Sequence, residues 1–94
     1  LLTAEQLEVA PQIYRIITET CAEIPESQTP DALIETLKSK IDSVKFMKME
    51  YAAFCNSENL ELLSKFDKKI GTRLCIAVWC GNIRLIDNIN CDIK

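Results

Sequence analysis

The chain has 94 residues, 48% of them hydrophobic and 27% charged, with a formal net charge of -3; these are the proportions of one globular domain spanning residues 1–94. A chain of this size buries roughly 65% of its unfolded surface, enough for one core with little stability to spare. It has neither a dense Lys/Arg block nor an apolar run near the roughly 20 residues of a membrane span, so nucleic acid and the bilayer are not expected partners.

Leu1 and Leu2 lead straight into a polar helix start rather than a signal peptide, and the chain opens without Met. Thr3-Ala4-Glu5-Gln6 fits a capping box, with a Thr hydroxyl for an orphan N–H and a Gln three residues on to reach back. Leu7, Ala10, Ile13, Tyr14, Ile17, Cys21 and Ile24 then recur at helical spacing. Pro11 falls inside that pattern and withholds the N–H that would bond the Leu7 carbonyl, which predicts a kink or a tightened first turn. Pro25 ends the helix. After the polar link Glu26-Ser27-Gln28, Thr29-Pro30-Asp31 starts a second helix with an N-cap, a Pro at the first helical position and an acid in the first turn. Its stripe is Leu33, Ile34, Leu37 and Ile41, and it ends near Ser43. The short link predicts an antiparallel helical hairpin.

From Lys45 to Phe54 the pattern alternates. Met47, Met49, Tyr51 and Ala53 point one way and Lys48 and Glu50 the other, with Phe46 and Phe54 out of phase on the polar side. Asn56-Ser57 is a turn and N-cap, and residues 57 to 64 predict a short helix carrying Leu60 and Leu63. Lys65 to Thr72 is a charged loop; Lys65, Lys68, Lys69 and Arg73 in it read as a solvated connection rather than a binding patch. Arg73 to Cys80 is apolar on both faces, as a central strand is. Gly81-Asn82 is a two-residue, Gly-first hairpin turn, and Ile83 to Ile89 returns. The prediction is an α+β domain: two helices plus a short helix on one face of a small, mainly antiparallel three-stranded sheet.

The two-residue turn fixes the pairing of the last two strands. Val78 faces Leu85, Ile76 faces Asp87 and Leu74 faces Ile89 on the side that receives the helices. Trp79 faces Arg84, Ala77 faces Ile86 and Cys75 faces Asn88 on the other. A guanidinium over the exposed indole would contribute about 0.5–1 kcal/mol. Trp79, Ala77 and Ile86 exposed together would make a sticky patch that something else covers. Asp87 is an acid on the apolar face, where an unpaired carboxylate costs several kcal/mol. It reads as an anchor near the strand end that accepts backbone N–H groups from a loop or helix start, in preference to a direct catalytic role.

Five cysteines stand at irregular spacing, at 21, 55, 75, 80 and 91, and no C-x-x-C occurs. They read as reduced thiols in a cytoplasmic protein, with Cys21 and Cys75 as small core residues. Histidine is absent. That removes the commonest general base, His-activated nucleophiles and His metal ligands, and the cysteine spacing argues against a thiolate zinc site. No catalytic, metal or cofactor-binding residue is assigned on these grounds.

The segment Thr72 to Ile89, "TRLCIAVWCGNIRLIDNI", strongly resembles the end of the pantoate–β-alanine ligase (pantothenate synthetase) family. The opening "LLTAEQLEVAPQIYRII" resembles the helix that follows the family's Ser-Ser-Arg-Asn nucleotide-binding motif, and "SENLELL" at 57 to 63 matches a third landmark. The resemblance covers essentially the whole chain, with most of its weight in the two end motifs. It implies the family's small C-terminal domain, a lid that closes over a larger N-terminal α/β domain holding the nucleotide site and the dimer contacts. The family enzyme uses ATP and Mg2+ to activate pantoate as an acyl-adenylate, and the β-alanine amine then displaces AMP. The implied partners are therefore that N-terminal domain, the three substrates and a second copy of the full-length chain. Gly81 carries over as the hairpin turn, and Arg84, Asp87 and Asn88 as the closing motif. With Trp79 these form a structural or interdomain set. Without His, no catalytic histidine carries over, and the piece is expected to be inactive alone. The other reading is a stand-alone interaction module that binds a partner through the mixed face of its sheet.

Overall fold

The computed structural model describes residues 3–94; Leu1 and Leu2 lie outside the described residues. Two helices, α1 (Ala4–Ala22) and α2 (Pro30–Asp42), pack against an open antiparallel sheet of β1 (Met47–Asn56), β2 (Thr72–Cys80) and β3 (Ile83–Cys91), in the order β1-β2-β3. The arrangement is α+β.

Both helix starts form as their residue types dictate. The Gln6 N–H donates 3.2 Å to Thr3 Oγ1, and the Thr3 N–H donates 3.0 Å to Gln6 Oε1, closing the capping box. The Ala32 N–H donates 3.2 Å to Thr29 Oγ1, with Pro30 in the first turn. Helix α1 runs on both sides of Pro11. Its buried stripe is Ile13, Ile17 and Cys21, whereas Leu7 and Tyr14, read as part of the same face, stand in solvent. The residues that end α1 are sewn to the far end of β3. The Asp92 N–H donates 2.8 Å to the Cys21 carbonyl, the Ile24 N–H 2.9 Å to the Asp92 carbonyl and the Lys94 N–H 2.8 Å to the Ile24 carbonyl. Ile24, read as part of the first helix's stripe, lies past the end of α1 at Ala22 and forms a parallel bridge with Ile93.

The core lies between the helices and one sheet face: Ile13, Ile17, Leu37 and Ile41 against Met47, Met49, Phe54, Leu74, Ile76 and Val78. Strand β1 reaches this face in two phases. Met47 pairs with Cys80 and Met49 with Val78, but Tyr51, not Glu50, pairs with Ala77. Glu50 is an extra residue, a β-bulge, and an extra residue reverses the alternation beyond it. This corrects the single-phase reading. Met47 and Met49 face the core before the bulge, and Ala52 and Phe54 face it afterwards, while Tyr51 and Ala53 turn outward. The strand also starts at Met47 rather than Lys45, because Phe46 has a left-handed φ of 74° that breaks extended backbone.

Residues 57 to 64 form no helix. The Glu58 N–H donates 2.8 Å to Asn56 Oδ1 and the Glu61 N–H 3.0 Å to Asn59 Oδ1, side-chain turns that compete with helical bonding. Leu60 takes a left-handed φ of 61°. The chain then folds back along β1, with the Leu63 N–H 2.9 Å from the Phe54 carbonyl. The charged loop that follows is anchored by Phe66, buried edge-to-face on Phe54 with ring centroids 5.1 Å apart. Below the bulge, Asp42 at the end of α2 accepts the Met49 N–H at 2.9 Å through Oδ1 and pairs with Lys38 through Oδ2 at 2.7 Å. These two bonds hold its carboxyl below the usual carboxylate range, the Lys38 bond most.

Candidate functional site

The β2–β3 hairpin has the register its turn dictates: Val78 with Leu85, Ile76 with Asp87 and Leu74 with Ile89 on one face, and Trp79 with Arg84, Ala77 with Ile86 and Cys75 with Asn88 on the other. Gly81 has φ 60°, the conformation a Gly-first turn requires. A Cβ there would also collide with the Gln6 side-chain amide of the α1 capping box, so the same glycine lets the hairpin tip close against the helix start.

The face turned away from the helices carries three residues in contact, one from each strand. Arg84 on β3 donates 3.1 Å from Nε to each Glu50 carboxylate oxygen and 2.5 Å from Nη2 to Oε2. Trp79 on β2 donates 2.8 Å from Nε1 to Glu50 Oε1. The expected guanidinium-over-indole stack is replaced by a shared carboxylate. The cation over a ring is instead Lys45, 4.9 Å from the Phe46 centroid. The Arg84 bond holds the Glu50 carboxyl below the usual range, with the Trp79 bond adding to it; Glu50 in turn raises the Arg84 guanidinium. The bulge puts Glu50 within reach of both, a role the β1 pattern alone did not disclose.

Around this cluster lie Tyr51, 42% exposed, Trp79, 36%, and Ile86, 64%. Ala77, expected in the exposed patch, is buried between its partners Tyr51 and Ile86. Asn88 is exposed on this face beside Cys75, which is half-buried here rather than in the core. Farther along, Arg73 Nη2 donates 2.9 Å to Asn90 Oδ1. Arg73 therefore belongs to the sheet face, apart from the loop lysines read with it.

Asp87 is a different case. Strand β3 continues to Cys91, so Asp87 sits at mid-strand and not near an end. Its Oδ1 accepts 2.8 Å from the N–H of Asn88, the next residue, and not from a loop or helix start. Half-buried, it lines a cleft of about 110 Å³ between α1 and β3, with Ala10, Ile13, Tyr14, Ile17 and Leu85 among the other walls. Among the described residues no ion pair forms at Asp87. Trp79 and Arg84 are thus brought together, Asn88 shares their face, and Asp87 and Gly81 are placed elsewhere.

Among the described residues no cluster of three or more His, Cys, Asp or Glu could hold a metal ion, and no helix is long and apolar enough to cross a membrane. The sequence matches the family described as pantoate-beta-alanine ligase over residues 1–90. The chain belongs to the pantoate-beta-alanine ligase family. Among relatives, it is 36% identical over 91 residues to the pantothenate synthetase of Buchnera aphidicola subsp. Acyrthosiphon pisum, a match that covers 93% of this chain and 30% of that protein. It is 28% identical over 88 residues to the pantothenate synthetase of Porphyromonas gingivalis (94% of this chain, 31% of that one). It is 28% identical over 94 residues to the pantoate–beta-alanine ligase of Schizosaccharomyces pombe (99% and 32%). The chain spans about a third of the length of these pantoate-beta-alanine ligase family members.

Proposed function

We propose that this chain is the C-terminal lid of a cytoplasmic pantoate–β-alanine ligase, acting on an active site built by an N-terminal domain of the same enzyme. The observation that carries the reading is the outer sheet face. Exposed Tyr51, Trp79 and Ile86 surround a fixed Glu50–Arg84 pair in a chain about a third as long as its relatives. A surface that must dock and undock needs apolar area to gain contact and polar groups that stay satisfied when it leaves. Here the Glu50–Arg84–Trp79 contacts keep the polar groups satisfied in the undocked chain.

In this reading the N-terminal domain binds ATP and Mg2+ and carries the homodimer contacts. The described residues of this chain offer no metal-holding cluster, and no step is assigned to its side chains. The lid's contribution is to exclude water from a pantoyl-adenylate, which would otherwise hydrolyse before the β-alanine amine arrives, and to complete the site on closure. Trp79, Arg84 and Asn88 lie on the docking face. Gly81 and Asp87 support it, through the hairpin turn and the α1–β3 edge.

The test is a coupled AMP-release assay with pantoate, β-alanine and Mg-ATP. The chain alone should give no turnover, and turnover by it overturns the proposal. Adding the N-terminal two-thirds of a family enzyme should restore turnover, and Trp79→Ala should weaken that restoration by raising the concentration of lid required. Tight binding of an unrelated protein by the chain, without any such restoration, would favour the stand-alone interaction module.

A further inference from the structure

Two of the five thiols meet in the core. Cys91 Sγ donates to Cys21 Sγ across 3.0 Å, between residues separated by 70 positions, and both side chains are buried. The approach does not depend on side-chain placement alone. The Asp92 N–H to Cys21 carbonyl bond, at 2.8 Å, ties the residue after one cysteine to the backbone of the other. The Ile24–Ile93 bridge continues that seam. Of the other cysteines, Cys55, paired with Arg73, and Cys75, paired with Ala53, are diagonal neighbours on the outer sheet face whose side chains interact, and Cys80 is buried opposite Met47.

We infer that Cys21 and Cys91 form a reversible disulfide, made by exchange with a small-molecule disulfide, that locks the end of α1 to the end of β3. A disulfide needs its sulfurs about 2.05 Å apart, so closure takes a shift of roughly an ångström from a contact whose two backbones are already bonded together. The donated Cys91 S–H favours thiolate at Cys21 and holds that thiol below its ordinary value; burial and the nearby Asp87 charge oppose it. Cys91, the donor, is pushed far up. The contact favours Cys21 as the attacking sulfur, and because both thiols are buried the reagent reaches it when the α1–β3 seam opens locally.

In the first exchange the Cys21 thiolate bonds to one sulfur of the reagent, the reagent S–S bond breaks, and one small thiolate leaves. In the second, Cys91 gives up its proton and attacks Cys21 Sγ, expelling the second small thiolate, which is protonated in solution. The two protein thiols are oxidised by two electrons and one reagent disulfide is reduced to two thiols. In a reducing compartment the pair rests as the dithiol. Oxidation converts the seam into a covalent tie that closes most of the chain and restricts the unfolded state.

The experiment incubates the native chain with oxidised glutathione, blocks free thiols with an alkylating agent under denaturing conditions and maps tryptic peptides. The expected product links peptide 16–38 to peptide 85–94, leaves Cys55, Cys75 and Cys80 alkylated, and raises the thermal midpoint by several degrees until dithiothreitol reverses it. Cys91→Ala should abolish the link. Alkylation of all five thiols, a link between another pair, or a persistent glutathione adduct on the unsubstituted chain would overturn the inference. The mapping of that unsubstituted chain decides the matter even if the variant fails to fold.

Discussion

Glu50 and Arg84 are bound to each other across the full width of the sheet, although their strands never pair. β2 lies between β1 and β3, yet Arg84 Nε reaches both Glu50 oxygens at 3.1 Å. The bulge turns Glu50 inward over the face, and Trp79 on the middle strand donates to the same carboxylate at 2.8 Å.

Glu50→Gln should lower the thermal midpoint by a small amount at neutral pH, because the ion pair is partly exposed and screened. The pH dependence has a definite sign. The folded carboxyl lies below its ordinary value, so its contribution is present above the ordinary Glu range and is lost as pH falls through the lower folded value. The gap between the two midpoints should therefore be steady near neutrality and close in acid. Trp79 is the one tryptophan of the chain, and Gln keeps an acceptor for its Nε1, so its fluorescence should report whether that bond survives the loss of the Arg84 pair. A gap that widens in acid would contradict this account.

Deleting Glu50 should cost little more than replacing it with Ala. Met49 pairs with Val78 and Tyr51 with Ala77, which are adjacent on β2, so without the extra residue the ladder closes with the same partners and Ala52 and Phe54 stay on the core face. The expected result is cooperative thermal unfolding with a midpoint close to that of Glu50→Ala. Loss of cooperative unfolding on deletion would show that the bulge itself is needed.

Phe66→Ala should destabilise by about 3 kcal/mol despite its place in a charged loop, since it vacates a buried site against Phe54. Urea denaturation measures it. Lys68→Ala and Lys69→Ala in the same loop should each lie within about 0.5 kcal/mol of the parent, as surface changes do.

Gly81→Ala should cost more than about 1 kcal/mol, through the positive φ and through collision with Gln6. Gln6→Ala removes the collision but opens the capping box, so the double variant should be more stable than the sum of the two single losses. Strict additivity in a denaturation cycle would show that the collision is relieved without cost.

The α+β class, both helix starts and the β2–β3 register were legible because each rests on local chemistry. Thr3 and Gln6, or Thr29 and Pro30, cap a helix with atoms three residues apart, and a two-residue Gly-first turn leaves one register open. The β1–β2 register had no such fixed turn, and a bulge has no signature in an alternating pattern beyond one residue out of phase. That residue was Phe54, visible as an exception on the polar side; its burial follows from Glu50. The helix expected over 57–64 failed for a related reason. Its Asn and Ser residues suit an N-cap, but Asn56 and Asn59 use those same side chains to turn the backbone.

The candidate face was half legible. Trp79 and Arg84 could be paired across the hairpin, and Asn88 placed beside them, from the turn alone. Glu50 lies 34 residues from Arg84, on a strand whose phase was undetermined.

What the residues determine by themselves are the helix caps, the hairpin pairing and the side of β2 and β3 that turns to the core, because each follows from bonds and alternation over a few positions. Tertiary structure alone decided where β1 changes phase, that Phe66 leaves a charged loop for the core, that Asp87 faces an apolar cleft from mid-strand, and that Cys21 meets Cys91. Each of these joins residues far apart in the chain, and such contacts are selected by the packing of the whole core rather than by any local preference.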